Sequence, residues 1–264
     1  MAEPRSIVLT GASSGIGAAL AVTLARPGRS LLLMGRDGAR LAGVAEAVRA
    51  GGADAATAAV PVTDAAAMAE TLARRDASHP VDLLIANAGV TSGRIPPDGP
   101  EPPGQARWIV TTNLIGMLNT VEPLLPAMLA RRAGHIALVS SMAALRPQAD
   151  EPSYSAAKAG VRAYGIALRA WLRGQGIAVT VICPGFVTSP MSARHVGPKP
   201  FEISAERAAA IIARGLARRR AEILFPWQLH LLVRLGNLLP PVLADRIERS
   251  LAARILPDPR AGRD

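Results

Sequence analysis

The stretch Ser6-Ile7-Val8-Leu9-Thr10-Gly11-Ala12-Ser13-Ser14-Gly15-Ile16-Gly17 decides the architecture. It begins as a short buried strand, passes through a glycine-rich turn, and reads as a helix over residues 16–24. A turn between strand and helix is where a phosphate cradle forms. Glycines let the backbone approach a pyrophosphate, and the helix N-terminus offers unpaired N–H groups with positive potential. Thr10, Gly11, Ser13, Ser14, Gly15, Ile16 and Gly17 are therefore candidate cofactor-binding residues. A tight βα turn that binds nothing would carry similar glycines, so the rest of the chain has to decide.

Outward from this turn, residues 31–34, 58–62, 83–86, 135–140 and 177–183 read as strands. Residues 39–50, 65–74, 108–131 and 154–173 read as helices, and 91–105 as a loop rich in Pro and Gly. Short buried strands alternating with longer helices predict βαβ units, hence an α/β fold with a parallel sheet covered on both faces. No repeat or domain boundary interrupts the pattern, so residues 1–264 are expected to form one domain.

Half of the 264 residues are apolar and 3% aromatic, so the core falls to Ala, Val, Leu and Ile, and global disorder is excluded. The formal charge of +10 invites a nucleic-acid reading, but only Arg218-Arg219-Arg220 is a dense run. Without aromatic interleaving or a recognition motif, nucleic acid is not an expected partner. Such a charge also attracts acidic ligands or anionic membrane surfaces. The single cysteine, Cys183, fits a reducing, cytoplasmic compartment. The apolar stretch 7–25 is broken by the glycine turn, which argues against a signal peptide, and no run of about 18 apolar residues predicts a spanning helix. His79, His135, His195 and His230 have no metal-ligand spacing, so no metal is expected.

Two further positions carry chemistry. Arginine takes 28 of the 30 basic positions, yet Lys158 follows Tyr154 by four residues, on one face of a helix. An ammonium about 4 Å from a phenol, at an effective dielectric near 20, favours the phenolate by roughly 4 kcal/mol, or about three pKa units. The pairing therefore predicts an activated tyrosine. Arg36, just after the second strand, stands where an adenine ribose lies in a dinucleotide fold, and a guanidinium there suits a 2′-phosphate. That favours NADP(H), while the adjacent Asp37 keeps NAD(H) open.

Taken in order, Thr10 to Gly17, Asn87-Ala88-Gly89, Asn113, Ser141, Tyr154 with Lys158, and Pro184-Gly185 resemble the short-chain dehydrogenase/reductase family over residues 5–190. The resemblance implies a Rossmann-type, doubly wound three-layer sandwich with a parallel sheet of about seven strands. It implies a catalytic set of Asn113, Ser141, Tyr154 and Lys158, with Ser140 structural. It also implies cofactor contacts from Asn87, Ala88, Gly89, Tyr154, Lys158, Pro184, Gly185, Thr188 and Asp64, although Pro61 departs from the family pattern beside the last. The activity implied is hydride transfer between a nicotinamide and a carbonyl or secondary alcohol, in a homodimer or homotetramer whose contact helices are 108–131 and 154–173. A catalytically weak nucleotide sensor or scaffold is the alternative from another class.

Residues 190–264 are read as a substrate loop around 191–201 and an apolar extension. The extension, 223–250, contains Ile223-Leu224-Phe225-Pro226-Trp227, a run of leucines from Leu229 to Leu239, and the basic residues Arg234, Arg246 and Arg249. It is expected to pack on its own domain or a partner subunit. Peripheral membrane contact and a lipid-like, apolar substrate are the alternatives.

Overall fold

A chain whose strands are uninterrupted apolar runs must cover both faces of its sheet. The computed structural model, which describes residues 3–94, 99–240, 242, 243, 246 and 254–261, does this with two layers of helix. In order the elements are β1 (Ser6–Thr10), α1 (Gly15–Leu24), β2 (Ser30–Gly35), α2 (Gly38–Ala50), β3 (Asp54–Ala59), α3 (Ala65–Ser78) and β4 (Leu83–Ala86). Next come α4 (Gln105–Val110), a π-helical segment (Thr111–Ile115), α5 (Gly116–Val121), α6 (Leu125–Arg131), β5 (Gly134–Val139), α7 (Pro152–Trp171) and β6 (Ile177–Pro184). The chain continues through β7 (His195–Val196), α8 (Ala205–Ala217), β8 (Glu222–Phe225), α9 (Trp227–Gly236) and β9 (Arg254–Ile255).

Seven strands form one parallel sheet in the order β3-β2-β1-β4-β5-β6-β8, the Rossmann-type doubly wound arrangement. Every residue of β1, β4 and β5 is buried. One core lies between the sheet and α1, α2 and α8, with Leu20, Leu41 and Ile212 fully buried. The other lies beneath α3, α5, α6 and α7, around Met68, Val121 and Met128. Strands β7 and β9 pair separately and antiparallel.

Four expectations need correction. The third strand is Asp54–Ala59, in register with Ser30 to Gly35, and not residues 58–62. An edge strand does not need a continuous apolar run, so small residues suffice; Val60 to Val62 instead leave the sheet and line a cleft. The helix expected over 108–131 is four pieces, because Pro123 and Pro126 remove N–H groups and the Thr111–Ile115 turn widens. The segment expected as an apolar extension from residue 223 opens with β8, whose Ile223 and Phe225 are 3% exposed in the core. That strand is therefore unavailable to a lipid surface. Helix α8 was not foreseen. Positions 241, 244, 245 and 247–250 of the expected extension, Arg249 among them, lie outside the described residues. No described helix is long and apolar enough to cross a membrane.

Helix α7 lies close on the sheet because Gly165 carries no Cβ; one there would meet Val181 Cγ2 and Leu138 Cδ1. Gly165→Val is expected to lower stability by about 1–3 kcal/mol, read as a reduced thermal midpoint. An unchanged midpoint would show that α7 has room to spare.

Candidate active site

The C-terminal ends of the parallel strands open into one cleft of about 1450 Å³. At one end the β1–α1 turn supplies Gly11, Ser13, Ser14, Gly15, Ile16 and Gly17. Gly11 and Gly15 have φ of +67° and +54°, a region that L side chains avoid. A Cβ on Gly17 would run into the Gly11 carbonyl. Ser14 caps α1 without a side-chain hydrogen bond, and no acidic residue occupies the first turn, so the helix N-terminus points its amides at the cleft without a competing anion. Thr10 is buried and does not line the cleft. Its Oγ1 accepts from the N–H groups of Asn87 and Ala88 at 3.1 and 3.2 Å. Asn87 Nδ2 in return donates to the carbonyls of Thr10 and Gly11 at 3.0 and 3.2 Å. These bonds tie the turn to the end of β4, whose Asn87, Ala88 and Gly89 all face the cleft.

Arg36, Asp37 and Arg40 line the same end. Asp37 is committed: its carboxylate caps α2 by accepting from the Arg40 N–H at 3.0 Å and pairs with Arg40 Nε at 3.1 Å. Asp64, a candidate adenine contact, caps α3 by accepting from Ala67 N–H and stands outside the cleft, where Val62 and Thr63 line it instead.

At the centre, Ser141, Tyr154 and Lys158 come together. Ser141 and Tyr154 stand side by side on the cleft wall, near enough for the serine hydroxyl to act on the phenol. Lys158 is 4% exposed, donates from Nζ to the Val139 carbonyl at 2.9 Å, and lies 5.8 Å from the Tyr154 ring centre. The ammonium and phenol thus share the site without a direct bond. The electrostatics reverse the expectation from charge alone. Burial pushes the Tyr154 phenol well above its ordinary value, the Glu151 carboxylate raises it further, and the Ser141 hydrogen bond opposes both. Burial draws Lys158 down to about 8. Asn113 is 1% exposed and off the cleft; its side chain accepts from Val90 N–H at 2.7 Å and donates to the Val90 carbonyl at 2.9 Å. Ser140 donates to the Lys158 carbonyl at 2.7 Å, a structural bond.

Pro184 and Gly185 at the end of β6 line the cleft. Thr188 does not; it is exposed and donates weakly to the Ile203 carbonyl at 3.4 Å. Beyond Tyr154 the wall includes residues that the sequence did not single out. Thr91 donates to the buried Glu151 carboxyl. Arg194 donates to the Thr91 carbonyl at 3.0 Å and pairs with Asp258 at 2.9 Å. Arg260 grips the same Asp258 at 2.6 Å. Burial alone would raise Asp258, but the bonds from Arg260 and the two guanidinium charges hold it at about 2. Glu151 had a legible signal, because it precedes Tyr154 by one helical turn. Asp258 had none that pointed to the cleft: Arg260 is two residues on, but Arg194 and Ser92, which tie it to the wall, are far away in sequence. Among the described residues no cluster of three or more His, Cys, Asp or Glu could hold a metal ion.

This fold and site define an oxidoreductase of a known class, and the comparisons agree. The profile of the short chain dehydrogenase family matches residues 5–198. The chain belongs to that family. An uncharacterized oxidoreductase of Myxococcus xanthus is 37% identical over 252 residues, covering 94% of this chain and 97% of the relative. A ketoacyl reductase of Nostoc is 29% identical over 226 residues, 83% of this chain and 78% of that one. A variant of actinorhodin polyketide ketoreductase, solved with NADPH, superposes with a TM-score of 0.73 at 26% identity, over 85% of this chain and 97% of its own.

Glu151 gives a pH signature. Burial, with Asp150 and Glu101 nearby, raises its carboxyl to about 7 against the opposing effects of Thr91 and Arg194. Between 4.5 and about 7 the folded chain keeps a proton that the unfolded chain releases, so stability is greatest below this window and falls as pH rises through it. Denaturant melts at about pH 5 and pH 8 are expected to show a loss on the order of 3 kcal/mol that Glu151→Gln removes. Equal pH slopes in both proteins would show that Glu151 is ionised at its usual value.

Proposed function

We propose that the chain, as one domain, reduces a carbonyl compound to a secondary alcohol with NADP(H), with Tyr154 as the proton donor. The observation that carries this reading is Tyr154 beside Ser141, with a buried ammonium 5.8 Å from its ring centre, in the cleft that begins at the glycine turn. The glycine turn, with Pro184 and Gly185, would hold a nicotinamide cofactor, which would supply the hydride that the carbonyl carbon needs. Tyr154 gives its proton to the carbonyl oxygen, and Ser141 orients that oxygen through its own hydroxyl. Burial by itself makes the phenol a weaker acid, so its proton leaves only if a countercharge stabilises what remains. The Lys158 charge then steadies the phenolate left behind. Asn113 is a positioning residue, clamping the Val90 backbone so that Gly89 can approach Lys158.

The cradle suits a dinucleotide because the amides at the start of α1 have no internal anion to satisfy them. Two guanidinium groups, Arg36 and Arg40, border the adenosine end, and Asp37 is occupied by its cap and by Arg40. That arrangement favours a 2′-phosphate over a bare ribose hydroxyl. Calorimetric titration is expected to show NADPH binding at least about tenfold more tightly than NADH, with Arg36→Ala erasing most of the difference. Tighter NADH binding would overturn the preference.

Tyr154→Phe is expected to reduce kcat by about 10²- to 10⁴-fold while NADPH affinity stays nearly unchanged. Lys158→Arg should be impaired to a similar degree although the charge is kept, because the planar fork does not fit the contact with Val139. Full turnover by the phenylalanine variant would remove Tyr154 from the reaction. It would also favour a protein that senses the nucleotide without chemistry.

A further inference from the structure

The cleft of about 1450 Å³ extends beyond the glycine turn and the Ser141–Tyr154 pair. Its surplus lies along α9. This helix is mostly apolar, yet none of its ten residues is buried. A helix with such a composition normally spends its apolar face on a core. Here Leu229, Leu232, Val233, Leu235 and Gly236, with Leu239 just past the helix, line the cleft, whereas His230 and Arg234 do not. The row starts at the reacting centre. Leu229 Cδ2 lies 2.7 Å from the position a Cβ would take on Gly185, beside the end of β6. It runs outward to Leu239, 38% exposed at the surface.

The helix is held away from the opposite wall rather than collapsed onto it. Its first turn is seated on Gly185, and just past its last turn Asn237 Nδ2 donates to the Leu145 carbonyl at 3.0 Å. Leu145 follows the Ser141–Ala144 segment, so α9 roofs the chain that leads away from Ser141. Met142 and Ala143 line the cleft on that wall. Between the two anchors is an apolar arm continuous with the hydroxyls of Ser141 and Tyr154.

We propose that this arm holds the hydrocarbon chain of the substrate, so that the compound reduced is a ketone on a long, unbranched alkyl chain. The inference rests on the hydride-transfer reading, which places the carbonyl at Tyr154. The chain then lies along Leu229, Leu232 and Leu239 and covers the helix face that the fold leaves bare. Affinity depends on chain length, because each methylene that enters the arm leaves water.

The test separates this inference from the reaction itself. Straight-chain 2-alkanones from 2-hexanone to 2-dodecanone are titrated calorimetrically into the protein saturated with NADP⁺, which cannot reduce them. The expected result is a Kd that falls about two- to fourfold per methylene. Leu232→Asp, at a position 54% exposed and therefore tolerant of substitution, is expected to flatten that dependence with little change in thermal midpoint. A Kd independent of chain length, or no binding by any member of the series, overturns the proposal. So does a flat series accompanied by a dimer that Leu232→Asp dissociates, since a second copy would then cover α9. Chain-length-dependent binding without NADPH oxidation by any ketone would keep the arm and overturn the hydride-transfer reading.

Discussion

The site is organised around one desolvated ammonium. Taking a charge out of water costs several kcal/mol unless acceptors are fixed in place around it. Lys158 Nζ meets the Val139 carbonyl at the end of β5, and its own carbonyl receives the Ser140 hydroxyl. A Cβ on Gly89 would stand 3.3 Å from Nζ and 3.1 Å from Asn113 Oδ1, so only glycine lets the turn after β4 come this near. Helix α7, strand β5 and that turn are thereby fixed about a single nitrogen. A guanidinium is larger and planar. The lysine persists in an otherwise arginine-rich chain where a compact charge must fit between a carbonyl and a glycine.

Burial acts on both partners in the direction of neutrality: it raises the phenol and lowers the ammonium. Coulomb attraction favours the charged pair where both groups stay hydrated. In this enclosed site desolvation is the largest effect on each of them. The resting site accordingly stores its proton on oxygen, and Glu151, one turn before Tyr154, reinforces that state when ionised.

The half of the molecule that follows βαβ logic was legible in the sequence because its signals are local. Glycines with positive φ, strands buried on both faces and the Tyr154–Lys158 spacing each act within a few residues. The Asp54–Ala59 strand was misplaced because an edge needs little hydrophobicity, and the more apolar Val60–Val62 beside it drew the assignment. Ile223 and Phe225 read as the start of a surface segment, since three apolar residues before a proline do not reveal their partner strand. Arg194, Asp258 and the Ser92 hydroxyl that accepts from Asp258 N–H are positions brought together only by the closed fold. No spacing rule reaches across such distances.

The buried side of the cleft and its exposed wall come from different parts of the chain. The glycine turn, Ser141, Tyr154 and Lys158 belong to the sheet and the helices against it, where most substitutions disturb a core. Helix α9 contributes no buried residue to that core. Changes along its leucine row are therefore nearly free of folding consequences, which leaves them open to selection on what enters the cleft. The fold thus separates a constrained interior from a wall free to vary, where a substitution reshapes the cleft and leaves the packing around Lys158 untouched.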